Sequence, residues 1–164
     1  MHPKVEIYLA WINELKLEFK DFDDKSEDWM KITRDIEEFQ NKVDMQAKNI
    51  KFLAQNTNNV QYYPLLQKGV VLMQGATSLS ENMTSFYNRY NELQNIQIKM
   101  TNNITESSKD FDPYHPEILI NRNRTILNAA KDLTHPIEKD LNNRLIALQE
   151  ERKALEKVLN DMIE

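Results

Sequence analysis

Twelve positions of this chain, Leu65, Gly69, Leu72, Ala76, Leu79, Met83, Phe86, Tyr90, Leu93, Gln97, Met100 and Ile104, hold one apolar spacing for almost six heptads. The steps alternate between three and four residues, which returns each side chain to the same face of an α-helix and would scatter them over both faces of a strand. A stripe this long needs partner helices to cover it. At about 1.5 Å per residue the helix is roughly 65 Å long, too long for the inside of one compact globule, so a rod is the expected shape.

Other stretches carry the same pattern. Val5, Leu9, Ile12, Leu15 and Phe19 draw a first stripe behind Pro3, which suits an opening turn. The polar cluster Asp21, Asp23, Asp24, Lys25, Ser26 reads as its end, with Ser26 as the N-cap of the next helix. Trp29, Ile32, Ile36, Phe39, Val43, Gln46, Ile50 and Leu53 then define a second helix that stops at Asn56-Thr57-Asn58-Asn59. Pro64 opens the long stripe. The clearest breaker is Asp110 to Pro116, with prolines at 113 and 116. A shorter helix is expected from Glu117 to Leu133. Thr134 then caps a last one, with Pro136 in its first turn and a seam of Ile137, Leu141, Leu145, Leu148, Arg152, Leu155, Leu159 and Met162. Gly69 and Gly75 mark either a kink or a close helix approach, the latter favoured because small residues let backbones come together.

Composition excludes several classes of function. The 164 residues contain two glycines and no cysteine, which removes phosphate-cradling loops, disulfides, thiolate metal sites and cysteine nucleophiles. The net charge of -5 comes from mixed signs along the whole chain, which disfavours nucleic acid and anionic lipid as main partners. The long stripe's helix carries only Lys68, Arg89, Lys99 and Lys109 as cations, too few for a basic concave membrane-binding face. No apolar run approaches the roughly 18 residues needed to span a bilayer, and the opening residues lack a signal-peptide pattern. His2, His115 and His135 are too far apart to share a helix face, and Glu37-Glu38 and Glu150-Glu151 fall where solvated faces are expected. No catalytic, cofactor-binding or metal-binding residues are assigned. Asn82, Asn103 and Asn123 each begin an N-glycosylation pattern, read as chance matches in a chain rich in Asn and Thr. Among the aromatics, Trp11, Trp29, Phe86 and Tyr90 are assigned to the core. Tyr62, Tyr63 and Tyr87 are the candidates for anchoring a protein partner.

Residues 36 to 54, Ile-Glu-Glu-Phe-Gln-Asn-Lys-Val-Asp-Met-Gln-Ala-Lys-Asn-Ile-Lys-Phe-Leu-Ala, resemble the second helix of a spectrin repeat through Phe39-Gln40, Val43, Gln46, Ile50 and Leu53. Leu133-Thr134-His135-Pro136, leading into residues 141 to 152, resembles the passage into that family's third helix. The resemblance covers about half of the chain. It implies a left-handed three-helix bundle used in tandem as a rod, as in spectrin, α-actinin, dystrophin, plakins and nesprins.

These readings combine into an all-α, elongated antiparallel helical bundle or coiled coil of spectrin-repeat type. Residues 1–112 are expected to form a three-helix repeat ending in the long helix, and 113–164 a helical hairpin that begins a second bundle. The expected function is a non-enzymatic rod or scaffold segment of a cytoplasmic, cytoskeleton-associated linker. It would bind protein partners through helix faces, without cofactor, nucleic acid or membrane insertion, and with homodimer formation left open. The alternative is a coiled-coil tethering or adaptor protein in trafficking, or a helical effector. Trp11, Phe39, Leu72, Phe86 and Leu148 are the residues expected to be buried.

Overall fold

The computed structural model describes residues 3–55 and 60–163, with side chains throughout except at positions 3–5, 54, 62, 162 and 163. Three long helices account for nearly all of it: α1 (Pro3–Gln55), α2 (Tyr63–Ser108) and α3 (Pro116–Ile163), with a 3-10 turn at Val60–Tyr62 leading into α2. No strand occurs among the described residues. The chain forms two compact units, Met1–Asp28 with Asn88–Leu141 and Trp29–Tyr87 with Asn142–Glu164, and each takes a piece of all three helices.

In the first unit Asn123 reaches Ser108 while Arg89 pairs with Asp140, so α2 and α3 run antiparallel. Glu14 meets Arg124 and Glu18 meets Lys131, so α1 and α3 run parallel. Trp11, Met100, Ile104, Ile120, Leu127 and Ala130 form the core. In the second unit the core is Val43, Ala47, Leu72, Ala76 and Leu155, flanked by the half-buried Phe39, Ile50 and Met73.

The long stripe of α2 behaves as its spacing predicts, because all twelve of its positions are buried or half-buried. The last seam does likewise from Ile137 to Leu159, while the side chain of Met162 lies outside the described residues. Arg152, its polar member, lays its guanidinium over the Phe39 ring, 5.0 Å from the ring centre. Both glycines serve close packing. A Cβ on Gly69 would stand 2.8 Å from Ile50 Cγ2, and one on Gly75 would stand 2.5 Å from Leu155 Cδ1. Neither has a positive φ.

The two obstacles differ in stiffness, which separates the expected effects of substitution. Ile50 is β-branched and can swing its Cγ2 aside only with difficulty, whereas the Leu155 methyl is the end of a longer side chain. Gly69→Ala is expected to cost about 1–2 kcal/mol despite its gain in helix propensity, and Gly75→Ala clearly less. Paired thermal melts measure this. The opposite ranking would show that the α1–α2 approach at Gly69 is looser than its geometry.

Two expected interruptions do not exist among the described residues. The cluster at 21–26 does not end a helix, since α1 continues through it. Phe19, Phe22, Ser26, Trp29 and Thr33 step by three and four and all face inward, so the stripe is unbroken and only its residue types change. Ser26 is therefore a seam residue whose hydroxyl bonds that of Tyr90, and not an N-cap. Asp21, Asp23 and Asp24 lie on the exposed face, where Lys25 bonds Asp21 at 3.0 Å one turn away. Residues 36–54, read as a second helix, belong to the second half of the first. The expected stop at Asn56 to Asn59 lies outside the described residues.

Thr134 likewise caps nothing. It is buried within α3, which runs unbroken over Pro116–Ile163 in place of the expected hairpin. Leu127, Ala130, Thr134, Ile137 and Leu141 keep the 3-4 spacing on both sides of Pro136, which sits exposed on the outer face. Packing along this seam outweighs the missing backbone donor. Pro136→Ala restores an amide for the Asp132 carbonyl and is expected to raise stability by about 1–3 kcal/mol, read as a shift in denaturant midpoint at constant slope. A variant no more stable than the parent would show that the helix had already adapted to the ring.

Smaller corrections concern phase. On α1 the inward positions include Tyr8, Trp11 and Ala47, while Leu9, Gln46 and Leu53 point outward. Val5 falls among the side chains outside the described set. Trp11, Leu72, Phe86 and Leu148 are buried as expected, but Phe39 is only half-buried. A break between α2 and α3 falls at 110–116, within the first compact unit and not between units. Its backbone is held by Tyr114 N–H donating to the Asp112 carboxylate at 2.9 Å and His115 N–H donating to the Asp112 carbonyl at 3.1 Å, after which Pro116 opens α3.

Candidate functional site

Of the tyrosines chosen as partner anchors, Tyr63 and Tyr87 do not come together. Tyr63 is exposed at the first position of α2. Tyr87 is half-buried, with its ring edge-on to Phe86 at 6.1 Å. They lie 24 positions apart on one helix, roughly 36 Å along its axis. The Tyr62 side chain is outside the described residues.

A cleft of about 210 Å³ opens in the first unit beside Phe19, Phe22, Gln97, Lys131, His135 and Glu138. Its charges are tied to one another. Lys131 donates to Glu18 at 2.6 Å, and Lys25 lies 3.0 Å from Asp21 and 3.6 Å from Glu138. The hydrogen bond to Asp21 is the main reason that the Lys25 pKa lies above its ordinary 10.5, with Glu138 adding to it against partial desolvation. A raised lysine pKa contributes stability that is whole below the unfolded value and lost only as pH rises through the folded one. Near neutrality Lys25 therefore stays charged and paired, a state suited to bridging α1 and α3 and unsuited to nucleophilic or base chemistry.

The remaining titratable residues of interest are dispersed. His115 is exposed, with Nδ1 3.3 Å from a Glu117 oxygen, and His135 is exposed on α3. His2 is outside the described residues. Glu37, Glu38 and Glu150 are exposed, and Glu151 accepts a hydrogen bond from Asn82 at 2.7 Å. No group of three or more His, Asp or Glu converges among the described residues, and no described helix is long and apolar enough to cross a membrane.

Of the three glycosylation patterns, Asn82 and Asn103 are exposed but Asn123 is fully buried. Its amide donates to Ser108 Oγ at 3.2 Å, while its carbonyl oxygen, Trp11 Nε1 and Ser107 Oγ lack a hydrogen-bond partner in the same unit. A folded chain has no room for a glycan at Asn123.

A second concavity, which the sequence reading missed, lies in the second unit. Lys51 of α1 and Leu66, Val70, Met73, Thr77 and Glu81 of α2 line an apolar groove of about 520 Å³. Its signal was present in the sequence as a second 3-4 stripe on α2, offset by one position from the longer one. Comparison with protein-family models, with curated proteins and with solved structures finds no match to this chain.

Proposed function

We propose that this chain is a non-enzymatic rod or scaffold segment of a spectrin-repeat-like cytoskeletal linker, cytoplasmic, whose work is to set distance and to present helix faces to protein partners. The observation that carries the reading is the unbroken inward placement of the α2 stripe from Leu65 to Ile104 against helices of comparable length. Seams of that kind hold helices side by side and leave the outer faces free for contacts. Charges bridging the helices, such as Glu18 with Lys131 and Arg89 with Asp140, suit holding helices in register more than binding a charged substrate. The two stretches that resemble a spectrin repeat also meet, through Phe39 and Arg152.

Solution scattering combined with proximity labelling by the full chain tests this reading. An elongated particle and enrichment of cytoskeletal proteins are expected, unaffected by His115→Ala or Glu150→Gln. A radius of gyration near the roughly 15 Å of a compact chain of this length would end the rod reading. A hydrolytic or transfer activity lost with either substitution would end the scaffold reading.

A further inference from the structure

The groove of the second unit carries an apolar register along α2. Tyr63, Leu66, Val70, Met73 and Thr77 step by three and four along α2, the spacing of a helix-packing seam; Met73 also packs against the unit's core, but Tyr63, Val70 and Thr77 are exposed among the described residues. Tyr63 and Val70 are 57% and 46% exposed, and Leu66 and Met73 are half-buried. Isolated exposed apolar residues need no explanation, but a stripe in register along a concave surface is the form a helix-binding face takes.

The charges of the groove indicate which helix fits. Only Lys51 and Glu81 among its lining residues are ionisable, they have opposite signs, and neither forms an ion pair within the described residues. The contact between Ile50 and Gly69 places Lys51 at the end of the groove near Leu66 and Val70. Glu81 lies twelve residues beyond Gly69, roughly 18 Å along α2. The groove is therefore positive at one end, apolar in the middle and negative at the other. A two-fold axis perpendicular to α2 near Met73 and Gln74 maps this pattern onto its complement. It lays α2 antiparallel to its copy, sets Val70 against the partner's Thr77, and brings Lys51 to the partner's Glu81, twice per dimer. Self-complementarity of this kind is the requirement of an isologous interface.

We propose that this groove is the interface of an antiparallel homodimer, with Val70 and Met73 at its centre and the Lys51–Glu81 pairs at its ends. The proposal stands independently of the scaffold reading. It is tested by sedimentation equilibrium of the full chain and its variants, with circular dichroism to verify folding. The parent is expected to be dimeric at micromolar concentration. Val70→Glu, which buries a charge at the centre, should raise the dissociation constant more than about tenfold. Lys51→Glu and Glu81→Lys should each raise it about tenfold by setting like charges together, and more at low salt than at high salt. The double variant K51E/E81K restores both pairs and should return to within about threefold of the parent, since each 1.4 kcal/mol is a factor of ten. A parent that is monomeric up to high concentration overturns the proposal. So does a double variant as weak as the single ones, or a dimer indifferent to all three positions. Should Val70→Glu fail to fold, the charge exchange at two exposed side chains decides alone.

Discussion

Phe86→Ala is expected to lower the free energy of unfolding by about 3–5 kcal/mol, a large share of the roughly 5–15 kcal/mol that holds an ordinary domain together. Phe86 is wholly buried at an inward position of the α2 stripe, between Met83 and Tyr90, with Tyr87 packed against its edge. Removing the ring takes away apolar area and leaves a space that long, tightly seamed helices cannot close by a local shift. Phe39 supplies the contrast. It is half-buried and shares one face with the Arg152 guanidinium, so Phe39→Ala is expected to cost only about 1–2 kcal/mol. Urea titrations of the two variants measure the difference. Equal losses would mean that burial in the second unit is distributed differently from its described geometry.

Trp11→Ala is expected to be comparably severe, again about 3–5 kcal/mol, because the indole is the largest buried side chain of the first unit and belongs to one core cluster with Met100, Ile104, Ile120 and Leu127. Trp11→Phe separates packing from polarity. The indole N–H has no hydrogen-bond partner, so the phenyl ring gives up area but also removes a desolvated donor. Its expected cost is at most about 1–2 kcal/mol. A loss as large as that of the alanine variant would show that the donor has a partner worth keeping.

The fold was legible in the sequence wherever apolar residues carried most of the spacing. From Leu65 to Ile104 and from Ile137 to Leu159 the pattern predicts which side chains turn inward, and the structure agrees. The two false breaks share one cause. Ser26, Thr33 and Thr134 occupy seam positions with short polar side chains, and a polar residue there looks like the end of a stripe. In place each hydroxyl has an acceptor or partner nearby: Ser26 has Tyr90, Thr33 has the Trp29 carbonyl at 3.0 Å, and Thr134 has that of Lys131. A serine or threonine satisfied within its own helix or by a neighbour is tolerated in a seam, so cap signals at 26 and 134 lose to the continuity of the face. The phase error on α1 is different. Leu9 and Trp11 compete for one turn, and the larger residue takes the core. The groove at Leu66, Val70 and Met73 went unread because the longer stripe on the same helix already explained the helix. A second, weaker periodicity becomes evident only when the first is known to be covered.

Neither compact unit is a continuous stretch of chain, since one draws on Met1–Asp28 and Asn88–Leu141 and the other on Trp29–Tyr87 and Asn142–Glu164. That interleaving limits how such a gene can change. Inserting or deleting a few residues in one helix turns every seam position beyond it away from its partners. Even a clean seven-residue change keeps the face but leaves two turns without opposite numbers on the other helices. Lineages of this chain should therefore vary in length mainly at 109–115 and near residue 60, and a longer form should arise only when all three helices gain heptads together. Nor can recombination with another gene at a single crossover pass on either unit by itself, because the stretch 1–141 that holds the first also carries 29–87 of the second, and the stretch 29–164 that holds the second also carries 88–141 of the first.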